Sequence, residues 1–203
     1  MSYNGIDVSS YQGSIDWTKV AKQSMDFAMI RASMGQTSRD TRFKTNAAGA
    51  RAAGLQVGAY HYSYATSVAQ AHTEAKNLLA AVKGLKITYP LVLDYEYNSS
   101  TAKVLSQWTS IAIAFLQDLE NAGYFAMLYS DKNSLLNRFN PKLLTPYAIW
   151  VAQWASVNTY PNPYGIWQNS STGTVSGIST AVDLDVSKYD YASIIKKAGL
   201  NQL

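Results

Sequence analysis

Residues 90–97 read PLVLDYEY, and the fold follows from what this stretch is. Leu91, Val92 and Leu93 form a short continuous apolar run, the pattern of a strand buried on both faces as in a parallel sheet. The run ends in two carboxylates, Asp94 and Glu96, with Tyr95 between them. Alternate residues of a strand project from one face, so both carboxyls point the same way, about 6.6 Å apart at Cα. Like charges side by side at a strand end cost free energy unless they are used or compensated.

Working outward from this strand, strand-like and helix-like segments alternate. NGIDVS (4–9) is a strand, and SIDWTKVAKQ (14–23) a helix opened by Ser14. DFAMIRAS (26–33) is a buried strand, followed by an Ala-rich helix over 39–54 that Gly54 stops. LQVGAYHYSY (55–64) is the third strand, and 67–84 a helix ended by Gly84. After PLVLDYEY comes the longest helix, about Thr101 to Ala122, closed by Gly123. YFAMLYS (124–130) is the fifth strand, with a shorter helix over 132–139. The rhythm then changes: YAIWVAQW (147–154), YGIWQNS (164–170) and TAVDLDVS (180–187) are strands with no good helix between them. DYASIIKKAG (190–199) is the closing helix.

Five strand–helix units and three strands give eight strands, the number that closes a filled barrel. Strand–helix alternation implies parallel strands with right-handed crossovers. The expected fold is an α/β, irregular TIM-like (β/α)5(β)3 barrel, a single domain over 1–203. An open doubly wound sheet is the alternative, but DVSSYQGS after the first strand is not the G-x-G-x-x-G such sheets use to hold phosphates.

Composition narrows the function. The 203 residues carry 17 Lys and Arg against 13 Asp and Glu, a net +4 without any basic run, which favours a solvated surface over a nucleic-acid patch. Cysteine is absent, which excludes disulfides, thiol catalysis and Cys-bound metal. MSYNGIDVSS lacks a basic start followed by an apolar stretch, so no ordinary signal peptide is expected. No apolar run reaches the ~18 residues of a membrane span. Tyr (15), Trp (5) and Phe (5) are plentiful, and Tyr and Trp suit sugar faces and wet clefts.

Barrel chemistry sits at the C-terminal ends of the strands. Asp7, Asp94, Glu96, Asp183 and Asp185 all fall at expected strand ends, and the first and last strands of a closed barrel are neighbours. Three readings fit this cluster. Structural ion pairing is one, with Arg31 the clearest cation. A divalent metal site is another, which His61 could extend, although a strand His flanked by Tyr is more often a hydrogen-bonded wall residue. Glycoside hydrolysis by a carboxyl pair, with one group kept protonated by its neighbours' charge, is the third. The nearby aromatics Tyr11, Tyr60, Tyr62, Tyr95, Tyr129, Trp150, Trp154 and Trp167 fit a sugar better than a metal.

GIDVSSYQGSIDW, FAMIRAS, VGAYHYS, YPLVLDYE, MLYS, IWVAQW, IWQNSS and AVDLDV, in that order from about residue 4 to 189, resemble the glycoside hydrolase family 25 muramidases, the bacterial and phage lysozymes. The resemblance implies a retaining β-1,4-N-acetylmuramidase that cuts peptidoglycan between N-acetylmuramic acid and N-acetylglucosamine. By position it makes Glu96 the general acid/base and Asp94 the stabiliser of the sugar cation or of the substrate's N-acetyl group. Asp7 and Asp183 become supporting carboxylates, and Asp185 a turn or ion-pair residue. Tyr62 and Gln168 match cleft-lining positions, joined as sugar contacts by Tyr11, Tyr60, Tyr129 and Trp154. No metal and no cofactor are implied. The expected partner is bacterial peptidoglycan, met at the cell wall by a monomer that neither binds nucleic acid nor inserts into membranes. Entry through phage-type membrane lesions, or trimming from a secreted protein, would fit the missing signal. Two rivals stay open: a glycan-binding barrel without turnover, and a chitinase-like glycosidase, whose motif also ends in D-x-E but with an acid run where Val92 and Leu93 stand.

Overall fold

The computed structural model describes residues 2–98 and 105–203. Eight strands close a barrel: β1 (Tyr3–Val8), β2 (Phe27–Met34), β4 (Gln56–Tyr62), β5 (Leu91–Asp94), β6 (Ala126–Asp131), β7 (Ala148–Ala152), β8 (Ile166–Gly173) and β9 (Val182–Ser187). β1 pairs with β2 on one side and with β9 on the other, which completes the ring. A two-residue strand absent from the sequence reading, β3 (Ser38–Arg39), folds back on the end of β2.

The five strand–helix units are present, with α1 (Trp17–Ala21), α2 (Phe43–Ala52), α3 (Val68–Val82), α4 (Leu105–Asn121) and α5 (Lys132–Asn137) between strands. α6 (Tyr191–Lys197) follows β9. The expected first turn of the longest helix, 101–104, lies outside the described residues. Gly54 and Gly123 stop their helices at φ +93° and +81°, a conformation glycine adopts without strain. α1 opens at Asp16 rather than Ser14: the Asp16 N–H is tied to Gly177 O (2.9 Å), and its carboxylate accepts from Lys19 N (3.2 Å).

One expectation fails. β9 runs antiparallel to both its neighbours, β8 and β1, while the other barrel pairings are parallel. The reason is length. A parallel connection needs a crossover of about a dozen residues or more, and residues 174–181 are too few.

Side chains alternate across the wall. Ile6, Ile30, Leu93, Leu128 and Val151 face outward into the layer packed against the helices, with Trp108, Phe115 and Leu78. Phe27, Met29, Val92, Met127, Trp150 and Ile166 fill the barrel itself. The floor is sealed by Tyr89, stacked on Phe27 at 4.7 Å, and by Tyr191 and Ile195 of α6. The apolar filling stops below the strand ends, where inward positions turn polar.

Gly5 of β1 faces the Phe27 ring so closely that a Cβ there would lie 2.3 Å from a ring carbon. Gly5→Ala should therefore destabilise the protein by about 1–3 kcal/mol, the usual cost of overpacking a filled core, read as a lower urea midpoint.

Candidate active site

A cavity of about 550 Å³ opens at the C-terminal ends of the parallel strands. Four carboxyls line it: Asp7 of β1, Asp94 at the end of β5, Glu96 just beyond, and Asp183 at the start of β9. The sugar contacts expected from the sequence, Tyr11, Tyr60, Tyr62, Tyr129, Trp154 and Gln168, line it too. Trp150 and Arg31 complete the inner wall.

β5 ends at Asp94, yet its pattern carries on for two residues. The Ser63 N–H donates to Asp94 O (2.9 Å) and the Tyr95 N–H to Tyr129 O (3.1 Å). Tyr95 is wholly buried on the outer side, its ring 4.4 Å from Trp108 and its hydroxyl donating to Ala65 O (2.8 Å). It is a strut rather than a cleft residue, and it leaves Asp94 and Glu96 facing the cavity together. Burial first, and Glu96 second, hold the Asp94 carboxyl well above the usual range, with Arg31 opposing. Asp94 Oδ1 is buried without a hydrogen-bond partner among the described residues. Glu96 is also raised, mainly by burial, with the Tyr129 hydroxyl opposing and Asp131 and Asp183 adding to it. The sequence reading credited the charge of neighbouring acids with such a shift; loss of water is the larger cause.

Across the cavity, Asp7 and Asp183 are direct partners in the β1–β9 register. Asp185 pairs with Gly5, one step deeper. Gln168 ties the two sides together. An indole N–H can only donate, so the Trp154 Nε1 contact (2.9 Å) fixes Oε1 of Gln168 toward Trp154, where the Tyr129 hydroxyl also reaches it (3.0 Å). Its Nε2 then donates to Asp7 Oδ2 (2.7 Å). Asp7 is raised well above the carboxylate range by burial, then by Asp185 and Asp183, against the Gln168 N–H. Burial raises Asp183 as well, while its hydrogen bond to Asp7 opposes.

The family model described as glycosyl hydrolases family 25 matches residues 6–178. The chain belongs to glycosyl hydrolase family 25. It is 34% identical to Lysozyme M1 of Streptomyces globisporus over 195 residues, covering 88% of this chain and 65% of that protein. It is 30% identical to the autolytic lysozyme of Clostridium acetobutylicum over 182 residues, 89% of this chain and 54% of that one. The chain thus spans between half and two thirds of these two relatives. The crystal structure of a bacterial lysozyme from Streptomyces coelicolor superposes with a TM-score of 0.83 at 28% identity, covering 97% of this chain and 96% of that one.

Not every expected residue fits this family 25 site. Asp185 makes no ion pair and sits in no turn: it lies inside β9, 2% exposed, taking the Trp150 Nε1–H at 2.8 Å. Its Oδ2 meets no N–H or O–H donor among the described residues, and the neighbouring Asp7 carboxyl opposes the rise that burial brings to its pKa. His61 points away from the cavity, since its strand neighbours Tyr60 and Tyr62 point in. Its ring is bonded to Ser33 Oγ (2.8 Å) and Glu74 Oε2 (3.2 Å), and burial lowers its pKa. Trp167 likewise leaves the cavity and donates to Gln153 O (2.8 Å). Among the described residues, no three His, Asp or Glu side chains are arranged to hold a metal ion.

The sequence reading missed Ser9, Gln12, Ser171, Thr180 and Ala181 in the lining. Ser9 and Gln12 carried a signal, the S-x-x-Q capping box. Ser9 Oγ accepts from Tyr11 N (3.1 Å), and the Gln12 side chain accepts from Ser9 N (2.9 Å), which sets Tyr11 on the rim. Ser171 of β8 and Thr180 and Ala181 of the loop before β9 are small residues with no such mark.

The Asp185 carboxyl has a raised pKa, chiefly from burial. Folding then favours its protonated form, a contribution present below the unfolded carboxylate pKa and lost as pH rises through the folded one. An amide cannot ionise, and Asn can keep the Trp150 bond. Asp185→Asn should therefore raise Tm at pH 7, with the gain shrinking toward pH 4 in a thermal-melt series.

Proposed function

We propose that the chain is a lysozyme-type β-1,4-N-acetylmuramidase. It hydrolyses peptidoglycan between N-acetylmuramic acid and N-acetylglucosamine and keeps the anomeric configuration. The observation that carries this reading is the Asp94/Glu96 pair: a buried and a half-buried carboxyl, both with raised pKa values, facing one cavity walled by Tyr and Trp. Membership of family 25, and relatives named lysozymes, support the substrate.

In this reading Glu96 is the acid/base and Asp94 the stabiliser. The two cannot both ionise cheaply, so the free site retains a proton between them. An acetamido N–H at C2 of the bound sugar would give the unpaired Asp94 Oδ1 its missing donor. That contact favours the Asp94 anion and leaves the proton on Glu96, beside the leaving oxygen. Glu96 then protonates that oxygen as the glycosidic bond breaks. The carbonyl oxygen of the N-acetyl group, oriented by Asp94, or Asp94 itself, takes up the electron-poor anomeric carbon. Water deprotonated by Glu96 then completes a second displacement, so configuration is retained.

Asp7 and Asp183 support the site from across the cavity. Gln168 and Tyr129 transmit their position toward Glu96. Tyr11, Tyr60, Tyr62 and Trp154 offer faces and donors to the glycan; burial, then Glu96 and Asp94, push Tyr62 up to about 12, so its hydroxyl stays neutral. In this reading the chain acts on the bacterial cell wall as a monomeric catalytic unit.

Glu96→Gln should leave a folded protein whose lytic rate is lower by about 10²–10⁴-fold, the usual cost of removing a positioned acid. Asp94→Asn should be comparably severe, and Asp7→Asn and Asp183→Asn should impair turnover more than Asp185→Asn. Clearing of cell-wall suspensions ranks all five. Lysis by Glu96→Gln above half the wild-type rate would remove the assignment.

The products test the bond cut. Borohydride reduction of a peptidoglycan digest should convert terminal muramic acid to its alcohol, and early NMR spectra should show the β anomer before mutarotation. Reduced glucosamine as the main terminal sugar would defeat the muramidase reading, whereas an initial α product would defeat only retention.

A further inference from the structure

Among the described residues lining the cavity, Arg31 is the sole Lys or Arg, against four carboxyls. β2 brings it inward beside Tyr60 of β4, its register partner. The side chain is 13% exposed and pinned along one edge. Nε donates to Asp40 Oδ2 (3.0 Å), and Nη2 donates to Ser10 Oγ (3.2 Å). Asp40 is itself anchored, with Oδ2 also accepting from Ser10 N (3.0 Å) and Oδ1 from Arg42 N (2.9 Å). The Tyr11 ring centre lies 5.6 Å from the guanidinium carbon. Nη1 has no hydrogen-bond partner among the described residues. The guanidinium is thus fixed in place while its outer edge stays unbonded, and that edge matches a carboxylate with two parallel N–H···O bonds. Its positive charge is felt at Asp94, which puts it near the proposed chemistry rather than on the outer rim.

We infer that Arg31 is a specificity residue whose unbonded edge binds a carboxylate carried by the substrate sugar. The inference rests on the muramidase reading, because a muramic acid unit carries a carboxylate, on its own lactyl arm where peptide is absent or on the stem peptide amidated to that arm, while a glucosamine unit is neutral. Asp40 and Ser10 hold the guanidinium ready, so little ordering remains to be done when the anion arrives. A residue serving only as counter-ion to Asp40 would be indifferent to the charge of the substrate.

The test uses two pairs of glycan strands: strands freed of peptide, which expose lactyl carboxylates, and strands still bearing stem peptides. Each is compared with its own methyl-esterified form by kcat/KM. The acid-to-ester ratio within one preparation does not depend on how much of the protein is folded, so a partly unfolded variant still reports. Wild type should prefer the acid form by about ten-fold or more, the scale of a charge-assisted hydrogen-bonded contact. Arg31→Gln should bring that ratio close to one, and Arg31→Lys, which keeps the charge without the fork, should fall between. An Arg31-dependent preference in the peptide-free pair assigns the lactyl group, and one confined to the peptide-bearing pair assigns a stem carboxylate. A wild-type ratio near one in both pairs, or a ratio unchanged in Arg31→Gln, overturns the inference. Wild-type protein that cuts none of the strands would overturn the muramidase reading and this inference with it.

Discussion

Asp7, Asp94, Glu96 and Asp183 share one small cavity with a single guanidinium, and Asp185 lies just beneath them. Such a group cannot be fully ionised away from water, since each further charge raises the cost of the next. The surrounding architecture answers this constraint in two ways. Burial and mutual repulsion favour the protonated form across the array, raising the pKa of all five groups. Neutral donors take up some of the oxygens: Trp150 on Asp185, Gln168 on Asp7 and Tyr129 on Glu96. These three donors come from β6, β7 and β8, successive strands of one wall. The wall of donors faces the acids of β1 and β9, and among the described residues Asp94 Oδ1 and Asp185 Oδ2 are left without such a donor.

The direction of β9 makes this arrangement possible. Had the last strand run parallel to the others, Asp183 would lie near the floor, since it is the second residue of the strand. Reversed, β9 starts at the mouth, so Asp183 meets Asp7 there and Asp185 follows one layer down. The same reversal removes the need for a helix between β8 and β9. It also delivers the chain to the floor, where Tyr191 and Ile195 of α6 seal the barrel below the polar layer.

Much of this was legible in the sequence, for identifiable reasons. Acids inside apolar strands stand out because burial penalises them, so Asp7, Asp94 and Asp183 were visible without coordinates. Strand–helix alternation gave the barrel, and helix-stopping glycines gave the ends of α2 and α4. The errors have equally physical sources. Tyr95 and Trp167 were grouped with cleft residues by proximity in sequence, although strand parity puts each on the face opposite its cleft neighbours, whereas His61 is the hydrogen-bonded wall residue its Tyr flanks suggested. The direction of β9 was legible in the short 174–181 connection, but alternation suggested parallel strands throughout. Asp185 could not be placed, because its partners Trp150 and Asp7 are remote in sequence and neither is a cation.

The site must also survive a change of charge during turnover. In the proposed cycle Glu96 passes through both protonation states, and a hydrogen-bond network built around one state would resist the other. Tyr129 offers a way round. Its hydroxyl has one hydrogen and two neighbours, Glu96 and Gln168 Oε1. When Glu96 carries the proton, the carboxyl can donate to the hydroxyl while the hydroxyl donates to Gln168. When Glu96 is ionised, the hydroxyl can turn its hydrogen to the carboxylate. Gln168 does not lose its place, because Trp154 still donates to Oε1 and Nε2 still donates to Asp7. The change of charge on the acid is absorbed by rotation about one C–O bond, with the backbone and the Asp7 side of the cavity left where they were.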